Sequence, residues 1–141
     1  MSASLPTFEP SPLPESPGVL VAEGDAVLCQ CLANVLRRRG YQVWTAGNGI
    51  AALEIIRENR GRIRMVLADV GMPRLDGVTL LKRLQSEAPD IACRLMTSGR
   101  RSEALAALPD TEQARIIVKP FSAQDLADQV AQEVAPRAVS S

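Results

Sequence analysis

Residues 65–73 read MVLADVGMP, and this stretch decides the fold. Four consecutive apolar residues lead into Asp69, and Gly71 and Pro73 end the run with residue types that favour turns. A short, uninterrupted apolar run of this kind indicates a β-strand that is buried on both faces, as in a parallel sheet. Residues 18–22, GVLVA, repeat the pattern and are followed by Glu23. We therefore predict two buried parallel strands, each of which ends at an acid.

Helical patterns alternate with strands along the chain. Four segments have apolar residues at helical spacing: 25–39, the region around 52–56, 76–87 and 122–134. Three more segments have the apolar or β-branched character of strands: 41–46, 91–96 and 116–118. This alternation predicts an α/β fold, a doubly wound (βα)5 parallel sheet with right-handed crossovers. Residues 102–108 support only about two helical turns before Pro109, so the fourth helix should be short.

The chain ends differ in composition from the central region. Residues 1–17 contain five prolines among serine and glutamate, a composition that favours an extended or disordered leader. Residues 136–141 follow the last helical pattern and are expected to be a frayed tail. Residues 18–135 are left as a single domain, and a chain of 141 residues can bury a sizeable core in one domain.

Composition excludes several classes of function. The formal net charge is zero, which gives no general attraction to nucleic acid or to anionic membranes. No apolar run is long enough to span a bilayer and no signal sequence is visible, so we expect a cytoplasmic protein. The chain has no histidine, which excludes catalytic triads that need it, nearly all zinc sites and a role as phosphohistidine donor.

The three cysteines, Cys29, Cys31 and Cys93, are compatible with a reducing compartment. Cys29 and Cys31 lie two residues apart in a helical pattern and so point in different directions, which makes them poor disulfide or metal partners. We expect these two cysteines to be small buried hydrophobic residues.

Polar residues follow directly after the apolar runs. Glu23 and Asp25 follow the first strand, Asp69 ends the third, Thr97 and Ser98 follow the fourth, and Lys119 follows the fifth. Ligands of open α/β sheets bind beyond the carboxyl ends of the strands, where these residues should converge. Bringing two or three carboxylates, a hydroxyl and an ammonium together is unfavourable unless they bind something there.

The same residues carry a family resemblance. VLVAE (19–23), LADVGMP (67–73), LDG (75–77), MTSG (96–99) and VKPF (118–121) occur in an order and spacing that resemble the receiver domains of bacterial response regulators and hybrid histidine kinases. The similarity extends over residues 18–134. It implies a flavodoxin-like sheet with strand order 2-1-3-4-5 and a role in phosphorelay signalling rather than enzymatic turnover.

The resemblance also implies residue roles. Asp69 would accept a phosphoryl group from a histidine kinase or phosphotransfer protein. Lys119, the hydroxyl of Thr97 and the backbone N–H of Ser98 would bind the transferred group. Mg²⁺ would be held by Glu23, Asp69 and the backbone carbonyl of Gly71.

Two positions depart from the family pattern. The family normally has two adjacent acids after the first strand, and here Gly24 replaces the second one. Asp25 is an alternative ligand, although a helix cap is its more natural role. Losing one carboxylate predicts weak Mg²⁺ binding. Ile116 replaces an aromatic residue whose ring normally moves with the equivalent of Thr97, so that coupling cannot operate in its usual form.

Several alternatives stay open at this stage. The chain could be a degenerate receiver that binds partners without phosphorylation, which Gly24 and Ile116 favour. A phosphatase or a flavin carrier on the same topology is disfavoured, because Gly71 stands where the phosphatase needs a second acid and Glu23 and Asp25 would repel a flavin phosphate. With no output module expected after residue 134, the protein should act as a monomer or weak dimer that binds an unknown target. It could instead be a part of a hybrid kinase.

Overall fold

The computed structural model describes residues 16–97, 103–109, 116–119 and 121–135. The predictions for residues 1–15, for the tail from residue 136 and for Ser98 lie outside these ranges. Ser16 and Pro17 lie against the sheet, because the side-chain amide of Gln42 donates to the Ser16 carbonyl at 2.9 Å and the Gln42 backbone N–H donates to the Pro17 carbonyl at 3.1 Å. The folded domain therefore includes at least two residues before Gly18.

Five parallel strands form one sheet: β1 (Gly18–Ala22), β2 (Gln42–Ala46), β3 (Ile63–Asp69), β4 (Ala92–Thr97) and β5 (Ile117–Val118). Their order is β2-β1-β3-β4-β5, which confirms the predicted topology. β1 is paired on both sides, with Leu20 opposite Trp44 of β2 and Val66 of β3. This central position explains why β1 needs an uninterrupted apolar sequence.

The helices are α1 (Ala26–Arg38), α2 (Gly49–Glu58), α3 (Gly77–Glu87), α4 (Glu103–Ala106) and α5 (Ala123–Glu133). Four of them begin at a residue whose side-chain oxygen accepts a backbone N–H of the first turn: Asp25, Asn48, Asp76 and Ser122. Such caps satisfy donors that a helix leaves unpaired at its start. They fix where each helix begins and hence the lengths of the loops that carry the polar residues.

The core has two layers, one on each face of the sheet. Successive residues of β1 alternate between them: Leu20 packs with α2 and α3, whereas Val19 and Val21 pack with α1 and α5. β3 alternates in the same way, since Val66 belongs to the first layer and Leu67 to the second. Both faces of the central strands are thus covered by helices, as the apolar runs predicted.

The fourth helix is even shorter than expected. Its helical turn covers Glu103–Ala106, about half of the predicted stretch 102–108. Leu105 and Leu108 are nevertheless buried, and the Leu108 N–H donates to the Leu105 carbonyl at 3.2 Å. Pro109 disfavours helical geometry only at Leu108, the residue before it, so the end at Ala106 reflects the packing of Leu105 and Leu108 into the core.

The prediction that Cys29 and Cys31 are both buried was wrong for Cys31. Cys29 is buried in the core on α1, whereas Cys31 is exposed and Cys93 is half-buried. Two residues along a helix correspond to a rotation of about 200°, so a residue two positions from a buried one faces solvent. Cys29 fills core space, as expected.

Tyr41 connects the start of β2 to the end of α5. Its side chain is fully buried, and its hydroxyl donates a hydrogen bond to the carbonyl of Val134. Burial raises the pKa of Tyr41 from 10.0 to about 12, against a smaller opposing effect of the Arg39 charge. The folded state therefore binds the phenolic proton more tightly than the unfolded chain does.

We predict that this proton contributes to stability below pH 10.0 and that the contribution is lost as the pH rises towards about 12. Tyr41 is the only tyrosine, so the near-ultraviolet absorbance of tyrosinate measures its ionisation alone. Ionisation with a midpoint near 10.0 while the circular dichroism stays native would contradict the prediction.

Tyr41→Phe provides the control. It removes the hydrogen bond to Val134 and should cost roughly 1 kcal/mol of unfolding free energy at neutral pH. Its stability should fall less than that of the wild type as the pH rises from 10.0 towards about 12. Denaturant unfolding at a series of pH values measures the difference.

Candidate functional site

The carboxyl ends of the strands bring the predicted polar residues to one edge of the sheet. Glu23 directly follows β1, Asp69 ends β3, Thr97 ends β4 and Lys119 directly follows β5. The Lys119 backbone N–H donates to the Thr97 carbonyl at 2.7 Å, which continues the pairing of β4 and β5 to this edge. The four residues come from separate strands and meet only because the strands are parallel and in register.

Lys119 lies between two carboxylates. Its Nζ atom is 2.7 Å from Oε1 of Glu23 and 3.2 Å from Oδ1 of Asp69. The exposed side-chain fractions are 2% for Glu23, 17% for Asp69 and 21% for Lys119, so the group is largely but not fully removed from water. The structure thus places the carboxylate of Asp69 and the ammonium of Lys119 in a common pocket.

The ammonium is held in its charged form. Burial alone would lower the pKa of Lys119, but the hydrogen bond and charge of Glu23 together with those of Asp69 outweigh it and raise the pKa above 10.5. At neutral pH the pocket therefore contains a fixed positive charge beside Asp69.

Glu23 is fixed through both carboxylate oxygens. Oε1 accepts from Lys119, and Oε2 accepts the backbone N–H of Asp25 at 3.0 Å. Asp25 itself caps α1, because its Oδ1 accepts the N–H groups of Val27 and Leu28 at 3.0 and 3.1 Å. The side chain of Asp25 is thus engaged at the helix start, whereas Glu23 points to the pocket.

Gly24 leaves open space at the mouth of the pocket. A Cβ atom at this position would have as its nearest neighbours Cδ of Pro73 at 3.8 Å and the carbonyl oxygen of Gly47 at 3.9 Å, both ordinary van der Waals distances. Nothing in the surrounding packing requires glycine here. The first side-chain atom of an acid at this position would therefore meet no steric obstacle.

The other residues predicted for the site are Thr97, Gly71, Ile116 and Ser98. Thr97 is buried at the end of β4. Gly71 lies two residues after Asp69, and a Cβ atom there would be 3.8 Å from Oδ2 of Asp69. Ile116 is half-buried against the core layer on the α2 and α3 side. Ser98 lies outside the described residues.

The donor set fits a weakly bound Mg²⁺ ion. Glu23 and Asp69 would supply two carboxylates and Gly71 would supply a backbone carbonyl, and Mg²⁺ commonly binds through one or two carboxylates while it keeps several waters. Within the described part of the chain, no three acids, cysteines or histidines are grouped as a metal site would require. Two carboxylates that already share one ammonium attract a cation less than three would.

Gly77 packs against the backbone of Asp69, a contact that no pattern in the sequence predicts. A Cβ atom at Gly77 would be 2.6 Å from the carbonyl oxygen of Asp69, so only glycine lets the start of α3 approach the end of β3 this closely. Asp76 is a residue type that favours a helix start, but it does not indicate this contact.

Comparison with known proteins places the chain in a family. The family model described as response regulator receiver domain matches residues 19–131. The chain is 38% identical over 113 residues to the sensor kinase CckA of Brucella abortus, and the match covers 79% of this chain but 12% of CckA. It is 30% identical over 115 residues to the response regulator receiver protein CpdR of the same species, covering 79% of this chain and 92% of CpdR.

Solved structures agree with this assignment. The crystal structure of the receiver domain from the hybrid histidine kinase CckA matches with a TM-score of 0.68 and 30% identity over 83% of this chain and 98% of that domain. A receiver domain protein from Clostridium thermocellum matches with a TM-score of 0.70 and 25% identity, covering 84% and 94% of the two chains.

The fold and the strand-end site define a phosphorelay signalling module of the two-component type. The chain belongs to the response regulator receiver domain family. Receiver domains are generally signalling modules rather than enzymes; they generally bind Mg²⁺ at the phosphorylation site and interact with histidine kinases and phosphotransfer proteins. Among the residues described, no helix is long and apolar enough to cross a membrane.

We predict that Glu23→Ala releases the ammonium of Lys119. The chain has only two lysines, Lys82 on the exposed face of α3 and Lys119, so selective ¹⁵N labelling of lysine gives two side-chain signals. Hydrogen exchange of the Lys119 ammonium should be slow in the wild type and approach that of Lys82 in the variant. The variant should have an unfolding free energy roughly 1–3 kcal/mol lower than the wild type, because the half-buried ammonium of Lys119 loses its nearer partner.

Asp128→Ala is the matched control, since it removes a carboxylate from the exposed ion pair with Arg39. It should leave the Lys119 signal unchanged. Equal exchange rates for Lys82 and Lys119 in the wild type would show that Glu23 does not hold the ammonium.

Proposed function

We propose that Asp69 accepts a phosphoryl group from a histidine kinase or phosphotransfer protein and that the modified domain signals by binding another protein. The observation that carries this proposal is the contact of the Lys119 ammonium with Asp69 and Glu23 in a half-buried pocket. A pocket that fixes a positive charge beside a carboxylate suits an acceptor whose product gains negative charge.

The reaction needs little covalent chemistry from the protein. A carboxylate oxygen of Asp69 forms the bond to phosphorus, the bond from phosphorus to the donor imidazole breaks, and the imidazole keeps the electron pair and takes up a proton. Charge spreads over the three phosphoryl oxygens during transfer, so positioning and neutralisation dominate. Lys119 supplies a cation for these oxygens, and the Thr97 hydroxyl and Ser98 N–H supply hydrogen bonds.

Mg²⁺, when bound by Glu23, Asp69 and the Gly71 carbonyl, would add to the neutralisation of phosphoryl charge. Gly24 supplies no third carboxylate, so we expect the ion to bind weakly. The domain's own chemistry would be limited to self-phosphorylation from a phosphodonor and to hydrolysis of its acyl phosphate.

We predict that Gly24→Asp strengthens Mg²⁺ binding by at least about tenfold, because a third carboxylate adds negative charge at close range. A Cβ atom at residue 24 makes only ordinary van der Waals contacts. Isothermal titration calorimetry with Mg²⁺ measures the affinity. Gly47→Asp adds the same charge at the neighbouring loop, where the backbone also leaves room. An equal gain in both variants would contradict a ligand position at residue 24.

We predict that Asp69→Ala abolishes acyl phosphate formation with a phosphorylated kinase or acetyl phosphate as donor. Intact-protein mass spectrometry with and without Mg²⁺ detects the added phosphoryl group. Asp25→Asn is the control, because asparagine also caps helices and should preserve α1. Full modification of Asp69→Ala would refute the assignment of the acceptor. If Mg²⁺ no longer increased acyl phosphate formation in Asp25→Asn, Asp25 would be a metal ligand.

A degenerate receiver that works without phosphorylation is the second candidate. Two features favour it: the two-carboxylate site left by Gly24, and Ile116, which has no ring to move with Thr97. This candidate predicts that a beryllium fluoride mimic of the phosphoryl group shifts no amide signal near Asp69, whereas the main proposal predicts such shifts.

A further inference from the structure

Residues 70–76 form the loop between β3 and α3, which we call the β3–α3 loop. It follows Asp69 directly and contains Gly71, so its position sets the geometry of the proposed acceptor site. At its start the Val70 N–H donates to the Met96 carbonyl at 2.9 Å, and the Val70 carbonyl accepts the Gly77 N–H at 3.2 Å. The buried side chain of Met72 anchors the middle of the loop.

The second half of the loop contains a strained turn. The Leu75 N–H donates to the Pro73 carbonyl at 2.7 Å, and Arg74 between them has a φ of 70°, in the left-handed region that non-glycine residues rarely adopt. Such a conformation persists only where the surroundings hold it in place. The exposed side chain of Arg74 is not what holds it.

Gly49, the first residue of α2, packs directly on the backbone of Leu75. A Cβ atom at Gly49 would lie 2.5 Å from Cβ and 2.8 Å from the carbonyl carbon of Leu75, and closer still to its carbonyl oxygen. These are backbone or near-backbone atoms that cannot rotate away. Gly47, two residues earlier, has no atom within 4 Å of the same position.

The close approach of Leu75 explains why residue 49 is a glycine, whereas its backbone conformation does not. Gly49 does not have a positive φ, and it stands within a helix, where alanine would be the better helix former. Asn48 caps α2 by accepting the Ala51 N–H at 2.8 Å, so the helix start is well fixed against the loop. The helix thus keeps an unfavourable residue at the position where its backbone lies directly against the backbone of Leu75.

We propose that Gly49 is a positioning residue for the acceptor site: it seats α2 against Leu75, holds the turn at Arg74, and thereby fixes the carbonyl of Gly71 and the carboxylate of Asp69. Its relevance to phosphorylation rests on the proposed function. The positioning itself is a property of the metal-free fold and can be measured without any phosphoryl transfer.

The test compares Gly49→Ala with Gly47→Ala in metal-free protein by amide NMR. Gly49→Ala should shift the signals of residues 70–77, with smaller changes elsewhere, while Gly47→Ala should leave the loop signals in place. In an Mg²⁺ titration, Gly49→Ala should bind about tenfold or more weakly than the wild type, as is typical when a residue that orients metal ligands is changed. Gly47→Ala should bind as the wild type does.

Asn48→Ala covers the case in which Gly49→Ala does not fold. It loosens the first turn of α2 without adding an atom, and it should shift the same loop signals by a smaller amount. The proposal would be overturned if the amide signals of residues 70–77 did not shift in a folded Gly49→Ala. The same result in Asn48→Ala with a frayed helix start would also overturn it. A wild type that binds no Mg²⁺ would refute the proposed function instead, and the metal-free comparison would still decide the role of Gly49.

Discussion

The ammonium of Lys119, held between Glu23 and Asp69, is the interaction on which the arrangement of the site depends. Two carboxylates at the ends of neighbouring strands repel each other, and the repulsion grows as water is excluded. One ammonium in contact with both offsets it. Lys119 follows β5, which is separated from β3 by β4, so its side chain crosses the end of β4 to reach the acids. The ion contacts therefore also tie the two-residue β5 to the middle of the sheet.

Most of the fold could be predicted because it depends on local sequence. A strand buried on both faces needs an unbroken apolar run, and helix starts need a capping side chain such as Asp25 or Ser122. Two details could not be obtained in this way. The end of α4 depends on how Leu105 and Leu108 reach the core, and the exposure of Cys31 depends on which face of α1 meets the sheet. Both are set by tertiary packing rather than by local pattern.

In the site, too, some features follow from the local sequence and others depend on tertiary packing. The polar residues at the strand ends were visible in the sequence because each follows an apolar run. The sequence did not reveal that Lys119 lies nearer to Glu23 than to Asp69, since that difference arises from side-chain reach across three strands. Nor did it reveal the contact of Gly49 with Leu75, because the two residues lie far apart in the chain and a glycine at a helix start gives no sign of what packs against it.

Gly24 changes the charge balance of the pocket in two opposing ways. Glu23, Asp69 and Lys119 together carry a formal charge of −1, and an acid at residue 24 would add one more negative charge. The lower negative charge attracts Mg²⁺ less, but it also repels an incoming phosphoryl group less. The first effect acts on cation binding and the second on the phosphorylated state itself. In the proposed reaction, neutralisation of the phosphoryl group would therefore depend more on Lys119 here than in a receiver domain that has both acids.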